Sequence, residues 1–220
     1  MSSLAAMATD DLATAAAGAT PRSPLVSRMQ GFGTTIFAEM TALATAAGAI
    51  NLGQGFPDSD GPAPVLEAAV QAIREGQNQY PPGPGTPELR QTVAQHQQRF
   101  YGLEPDPDTE VLVTVGATEA IAASLLALCE TGDEVVLFEP YYDSYAASVA
   151  LAGATRRTVV LRAPDFRLDE AELRAAFSDR TRAVVVNSPH NPTGTVRSPE
   201  ELALIVRLAQ EHDAVIISDE

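Results

Sequence analysis

Apolar residues along this chain fall into two rhythms, and the change of rhythm divides it. From Phe32 to the stretch behind Thr86 they recur in segments of helical spacing. Ile36, Met40, Leu43 and Ala47 predict a helix over 32–47 ended by Gly48. Val65, Leu66, Ala69, Val70 and Ile73 predict a second over 64–75, with those residues on its buried side. A third starts behind Thr86, with Pro87 in its first turn.

From Glu110 onward short unbroken apolar runs alternate with helical stretches. The runs are Val111–Val115, Val135–Phe138, Thr158–Leu161, Ala183–Val186 and Val215–Ile217. Runs without polar alternation predict strands buried on both faces, and their regular spacing predicts βαβ units and a largely parallel sheet. Asp169 with Glu172, and Ser198 with Glu201 behind Pro199, have the spacing of capping boxes and mark two helix starts. The fold class is therefore α/β.

In such a sheet a ligand belongs at the carboxyl edge of the strands. The polar residues there are not those of an ordinary turn. Ala183–Gly194 (AVVVNSPHNPTG) breaks from a valine run into Asn187, Ser188, His190, Asn191 and Thr193, with Pro189 and Pro192 between them. Val111–Ala120 (VLVTVGATEA) passes through Gly116 into a helix whose free first-turn amides suit a phosphate. Phe138–Tyr145 (FEPYYDSY) follows another strand, and a last apolar run ends at Asp219.

Taken with Asn51–Asp58 (NLGQGFPD) and the Pro/Gly-rich stretch around Tyr80 (NQYPPGPGTPELR), these segments resemble class I/II aminotransferases. Those enzymes use pyridoxal 5′-phosphate (PLP) on the type I fold. The resemblance implies that Ala117 and Thr118 hold the cofactor phosphate and that Tyr142 stacks on the pyridine ring. It implies that Asn191 donates to the phenolic oxygen and that Asp219 pairs with the protonated ring nitrogen. Tyr80 would reach the phosphate of the other subunit in a homodimer with shared active sites, and Gly55 would donate its amide to the substrate carboxylate. The implied reaction is ping-pong transfer of an amino group from an amino-acid donor to a 2-oxo acid acceptor. The wording of NLGQGFPD and EPYYDSY is similar to the branch with kynurenine/glutamine transaminases and actinobacterial N-succinyldiaminopimelate aminotransferases, which act in lysine biosynthesis. Cysteine-conjugate β-lyases share the same residues.

Several residues have plainer readings. Glu119 reads as a helix-start acid, Arg90 as a structural charge, Tyr141 and Tyr145 as packing, and His190 as part of the loop. His96 and His212 need no functional account. Composition changes one point decisively: all 14 basic residues are arginine. The family anchors PLP on a lysine, because an amine condenses reversibly with an aldehyde. This chain alone is expected to be inactive, with no catalytic residue of its own. The expectation is an N-terminal fragment: a tail at 1–27, an arm and helix at 28–51, and part of the PLP-binding large domain at 52–220. An inert PLP-binding regulatory domain is the alternative. A dinucleotide-binding fold ranks lower, since the first βα turn lacks G-x-G-x-x-G spacing.

A formal charge of −15 argues against nucleic acid or an anionic membrane as partner. The single cysteine, Cys129, lies in an apolar run; it reads as a buried hydrophobe and suits a reducing, cytoplasmic setting. No metal site is expected.

Overall fold

The computed structural model describes residues 23–55, 57 and 59–220. The expected tail at 1–27 lies mostly outside them, as do Phe56 and Asp58. The chain divides into two compact units, Met1–Gly33 and Thr34–Glu220. In the described part of the first, a single 3-10 turn spans Ser27–Met29, and the Gln30 side-chain nitrogen donates to the Leu25 carbonyl at 2.9 Å.

The second unit is built on a four-stranded parallel sheet. Its strands are β1 (Glu134–Glu139), β2 (Thr155–Val160), β3 (Thr181–Asn187) and β4 (Val215–Asp219), in the order β2-β1-β3-β4. Alternate side chains of a strand point to opposite faces. Val136, Phe138, Val159, Val184 and Val186 form one core with Leu173, Leu204, Ile205 and Leu208. Val135, Leu137, Ala183 and Val185 form another with Ile121, Leu125, Tyr145 and Val149. The runs of β1 and β3 are unbroken because helices cover both faces, whereas β2 and β4, expected to be buried as well, are edge strands with most of their residues exposed, Val215 and Ile216 among them.

Among the described residues seven α-helices accompany these strands: α1 (Ile36–Ala47), α2 (Ala63–Arg74), α3 (Pro87–Tyr101), α4 (Gly116–Leu128), α5 (Asp143–Leu151), α6 (Glu170–Ala176) and α7 (Pro199–Glu211). Helices α4 and α5 cover one face of the sheet, α6 and α7 the other. α7 starts with a complete capping box, the Ser198 hydroxyl accepting from the Glu201 amide and the Glu201 carboxylate accepting from the Ser198 amide. α6 has only half of one. Asp169 accepts from the Glu172 amide, but the Glu172 carboxylate is drawn to Arg162 at 2.8 Å. At Thr86 the hydroxyl makes no capping bond either.

Two expectations fail for a shared reason. Val111–Val115 is not a strand; the Val113 amide donates to the Pro84 carbonyl, and the run has no ladder partner among the described residues. A strand needs one, since its backbone groups bond only between chains. Helix α2 forms where predicted, but Val65, Leu66, Val70 and Ile73 are exposed. The apolar stripe is present, and nothing among the described residues covers it.

Arg90 is structural. Its guanidinium is buried and bonds the carbonyls of Gly85 and Pro107 and the Asp108 carboxylate, tying the loop before α3 to the one after it. No helix here is long and apolar enough to cross a membrane, and no metal-binding cluster occurs among the described residues.

Candidate active site

Because all four strands run parallel, their carboxyl ends share one edge. Tyr142 follows β1, Asn191 follows β3 and Asp219 closes β4, so three predicted residues arrive there from three strands. The opposite edge holds only structural chemistry. There the buried Glu134 carboxylate accepts from Ser178 at 2.7 Å and Arg180 at 2.6 Å, with Arg157 at 3.6 Å. The Ser178 hydrogen bond, helped by the arginines, holds Glu134 below the usual carboxylate range despite its burial.

The carboxyl edge is knitted by Asn187, the last residue of β3. Its side-chain oxygen accepts from the Asn191 amide at 2.6 Å, and its side-chain nitrogen donates to the Asp219 carbonyl at 2.9 Å. The Ser188 amide donates to the same carbonyl at 3.2 Å. One amide side chain thus fixes where the loop leaves β3 and where β4 ends. Asn187 stood in the sequence as one loop polar among several; its valine-run context was the available signal, because a polar side chain ending a buried strand must be bonded.

Beyond Asn191 the loop closes on itself. Gly194 donates to the His190 carbonyl at 2.6 Å and His190 to the Thr195 carbonyl at 2.8 Å. The His190 ring is buried against the Thr193 hydroxyl at 2.7 Å. Burial, and secondarily the nearby Arg197 charge, lower its proton affinity. A ring so placed is a neutral brace for the loop. Arg197 is buried as well, donating to the Phe166 carbonyl at 2.9 Å, with its guanidinium 5.8 Å from the Phe138 ring. The Asn191 side chain remains exposed at the edge.

Tyr142 is half-buried at the start of α5, its ring 6.1 Å from that of Tyr145 in an edge arrangement and 6.2 Å from Phe37. Its two tyrosine neighbours are more than packing. The Tyr141 hydroxyl accepts from Arg156 at 2.9 Å. The buried Tyr145 hydroxyl donates to the Asp219 carboxylate. Tyr145 lies in the first turn of α5, three residues beyond Tyr142 at its N-cap, and that spacing was the sequence signal that the two stand close together.

Helix α4 has its C-terminal end beside the start of β3, where Arg182 bonds the Leu128 carbonyl at 3.1 Å. Running back along the sheet, its 13 residues span about 20 Å, roughly the length of a strand, and bring its N-terminus to the carboxyl edge. Gly116 opens it at φ 74°, a conformation suited to glycine. Ala117 and Thr118 are exposed in the first turn, where amides lack intrahelical partners. The Glu119 carboxylate turns back to accept from the Val115 amide, as a helix-start acid does. Tyr80 is 99% exposed and Gly55 is exposed, and no hydrogen bond ties either into the Asn187–Asp219 network.

Comparison with known proteins identifies the family. Residues 47–220 match the family model for class I and II aminotransferases. A probable N-succinyldiaminopimelate aminotransferase of Mycobacterium tuberculosis is 58% identical over 198 residues, which cover 89% of this chain and 50% of the relative. A solved structure of N-succinyldiaminopimelate aminotransferase from that organism superposes with a TM-score of 0.85 at 57% identity, over 89% of this chain and 52% of the other. The methionine aminotransferase of Escherichia coli is 45% identical, over 90% and 52% of the two chains. Human kynurenine–oxoglutarate transaminase 3 is 38% identical, over 88% and 45%. The chain thus spans about half the length of the curated relatives it matches. By its family match, its parallel α/β sheet and its strand-end loops, this chain belongs to the class I and II aminotransferases.

Proposed function

We propose that the whole protein is a PLP-dependent aminotransferase that acts on N-succinyldiaminopimelate in lysine biosynthesis, with a 2-oxo acid as the other substrate. One observation carries the reading: a tyrosine, an asparagine and an aspartate from three strand ends stand at one edge, two of them joined through Asn187. The choice of substrate is supported by the 58% identity to the mycobacterial relative, against 38% to the human kynurenine enzyme.

The residues present fit the cofactor. Exposed first-turn amides at Ala117 and Thr118 offer donors and a positive helix end to a phosphate. The Tyr142 ring offers a flat face, Asn191 an amide donor to the phenolic oxygen, and Asp219 a carboxylate for a protonated ring nitrogen. When bound, PLP supplies an electron sink for the substrate α-carbon. The work of these residues is to orient it: Asp219 stabilises the charged form of the ring nitrogen, and Tyr142 sets the plane of the ring. Gly55 binds the substrate carboxylate through its amide, and Tyr80 serves the phosphate of the other subunit in a cytoplasmic homodimer. The division into a tail at 1–27, an arm at 28–51 and a large-domain portion at 52–220 belongs to the same proposal. So does a lysine and a carboxylate-binding arginine elsewhere in the full-length protein.

The experiment is a substrate panel. Full-length protein with PLP is offered N-succinyl-L,L-diaminopimelate, methionine, kynurenine and a cysteine conjugate, each with 2-oxoglutarate. Fastest glutamate formation from the first supports the reading. Preference for methionine or kynurenine overturns the substrate, pyruvate release from the conjugate points to a lyase, and no turnover with retained PLP binding points to an inert domain.

A further inference from the structure

We propose that the Tyr145 hydroxyl is the positioning group for the Asp219 carboxylate, holding one carboxylate oxygen so that the other is presented to the protonated ring nitrogen of the cofactor. The inference rests on the PLP reading above and adds to it a residue whose sequence context suggested only packing.

Tyr145 lies in the turn of α5 that follows Tyr142, with its ring in the core formed by Ile121, Leu125, Leu137 and Val149. It is 3% exposed. A buried phenol must place its O–H against an acceptor, and here the acceptor is Oδ2 of Asp219, 74 residues away in the chain. The Asp219 backbone is held independently, its carbonyl taking the Asn187 side chain and the Ser188 amide. With the main chain fixed by the end of β3 and Oδ2 fixed from α5, the side chain has little rotational freedom left. Oδ1 is the remaining oxygen for an incoming N–H.

Chemistry makes this phenol a dependable donor. Burial first, and then the Asp219 hydrogen bond and charge, push its ionisation far above the ordinary tyrosine value. It stays protonated around neutral pH, and an O–H facing a carboxylate can only donate. The Tyr142 ring is 6.1 Å away. One helical turn therefore carries both the face offered to the ring and the group that aims the acid at its nitrogen.

The test uses the full-length protein, its Tyr145→Phe and Asp219→Asn variants, and two probes: PLP and the 1-deaza analogue, in which CH replaces the ring nitrogen. Tyr145→Phe keeps the ring and its packing and removes only the hydroxyl. The expected result is PLP affinity about tenfold weaker, the scale of one hydrogen bond to a charged group, with deaza-analogue affinity unchanged. Equal loss for both probes, or no loss for either, overturns the inference. A cofactor-free measurement separates it from the PLP reading. In the 13C NMR spectrum of tyrosine-labelled protein, the Tyr145 Cζ resonance, identified by its loss in Tyr145→Phe, is expected to move in Asp219→Asn. No movement overturns the contact itself. Movement without any probe discrimination by the unmodified protein removes the assignment of Asp219 to the ring nitrogen, and with it the functional half of this inference.

Discussion

Residues 34–115 and residues 116–219 follow one another in the same compact unit, yet they solve the burial problem differently. In the second stretch every strand has a neighbour and helices cover both faces of the inner strands β1 and β3, so Val135, Val136, Leu137 and Val184 are fully buried, although the edge strands β2 and β4 keep most of their residues exposed. In the first, α1 and α2 contain no buried residue, and Val115 is 87% exposed. Both stretches carry comparable apolar patterns. What differs is whether the partner of each apolar face lies within the described residues. Pattern alone therefore dictates element type, while burial depends on what else is present, which suits a chain spanning half the length of its relatives and, as proposed above, pairing as a dimer.

The strongest way to break this contrast is to place a charge in each stretch. Val184→Asp puts a carboxylate at a fully buried position in the middle of β3. An unpaired buried charge costs roughly 3–5 kcal/mol or more, comparable to the whole stability of a small domain. Loss of cooperative thermal unfolding, followed by circular dichroism, is the expected outcome. Leu112→Asp, at a position 64% exposed, is expected to change stability by no more than about 0.5 kcal/mol. Equal damage from the two would abolish the distinction.

A gentler probe of the sheet is Leu125→Ala, which empties a fully buried site beneath β1 and β3 and should cost about 2–5 kcal/mol by denaturant titration. Next comes the Glu134 cluster at the amino edge. Since its folded-state proton affinity is depressed, Glu134 contributes stability above the ordinary carboxylate range, and that contribution fades as pH falls through its lower folded value. Glu134→Gln should lower stability at pH 7 by about 2 kcal/mol, on the scale of hydrogen bonds to a charged group, and flatten the acid side of the stability profile. An unchanged acid limb would show that the cluster is not coupled to folding. Ser198→Ala, which removes the α7 capping box, should cost about 1 kcal/mol.

The legibility of the sequence divides along the same line. β1, β3 and β4 appear where unbroken valine and isoleucine runs predicted them, and Ser198 with Glu201 caps α7 as spaced. Local rules suffice there because the tertiary partners of these elements lie within the described residues. The Val111–Val115 strand and the buried side of α2 failed because they rest on partners that local pattern cannot supply. At the candidate site, parallel strands made Tyr142, Asn191 and Asp219 readable as neighbours at one edge. The bonds that join that edge were not readable. Asn187 works through both ends of its amide and Tyr145 through a hydroxyl bonded 74 residues away. Such bonds depend on rotamer and register, and a string of letters encodes neither. The half-formed box at Asp169 is similar: the spacing was right, but a surface arginine competed for Glu172.

The smallest expected effect discriminates best between the two stretches. Leu66 lies on α2 and is 47% exposed, although its neighbours Val65, Val70 and Ile73 complete a stripe that ordinarily faces a core. Replacing it with serine removes little buried surface from the chain, so the cost should be limited to helix propensity, within about 0.5 kcal/mol. The same substitution in full-length protein should cost about 1.5–3 kcal/mol if the stripe is buried there, the value of one leucine withdrawn from water. Urea titrations of the two lengths measure both numbers. A large cost already in this chain would mean that α2 has its partner within it, and the contrast between the two stretches would then fail at its clearest point.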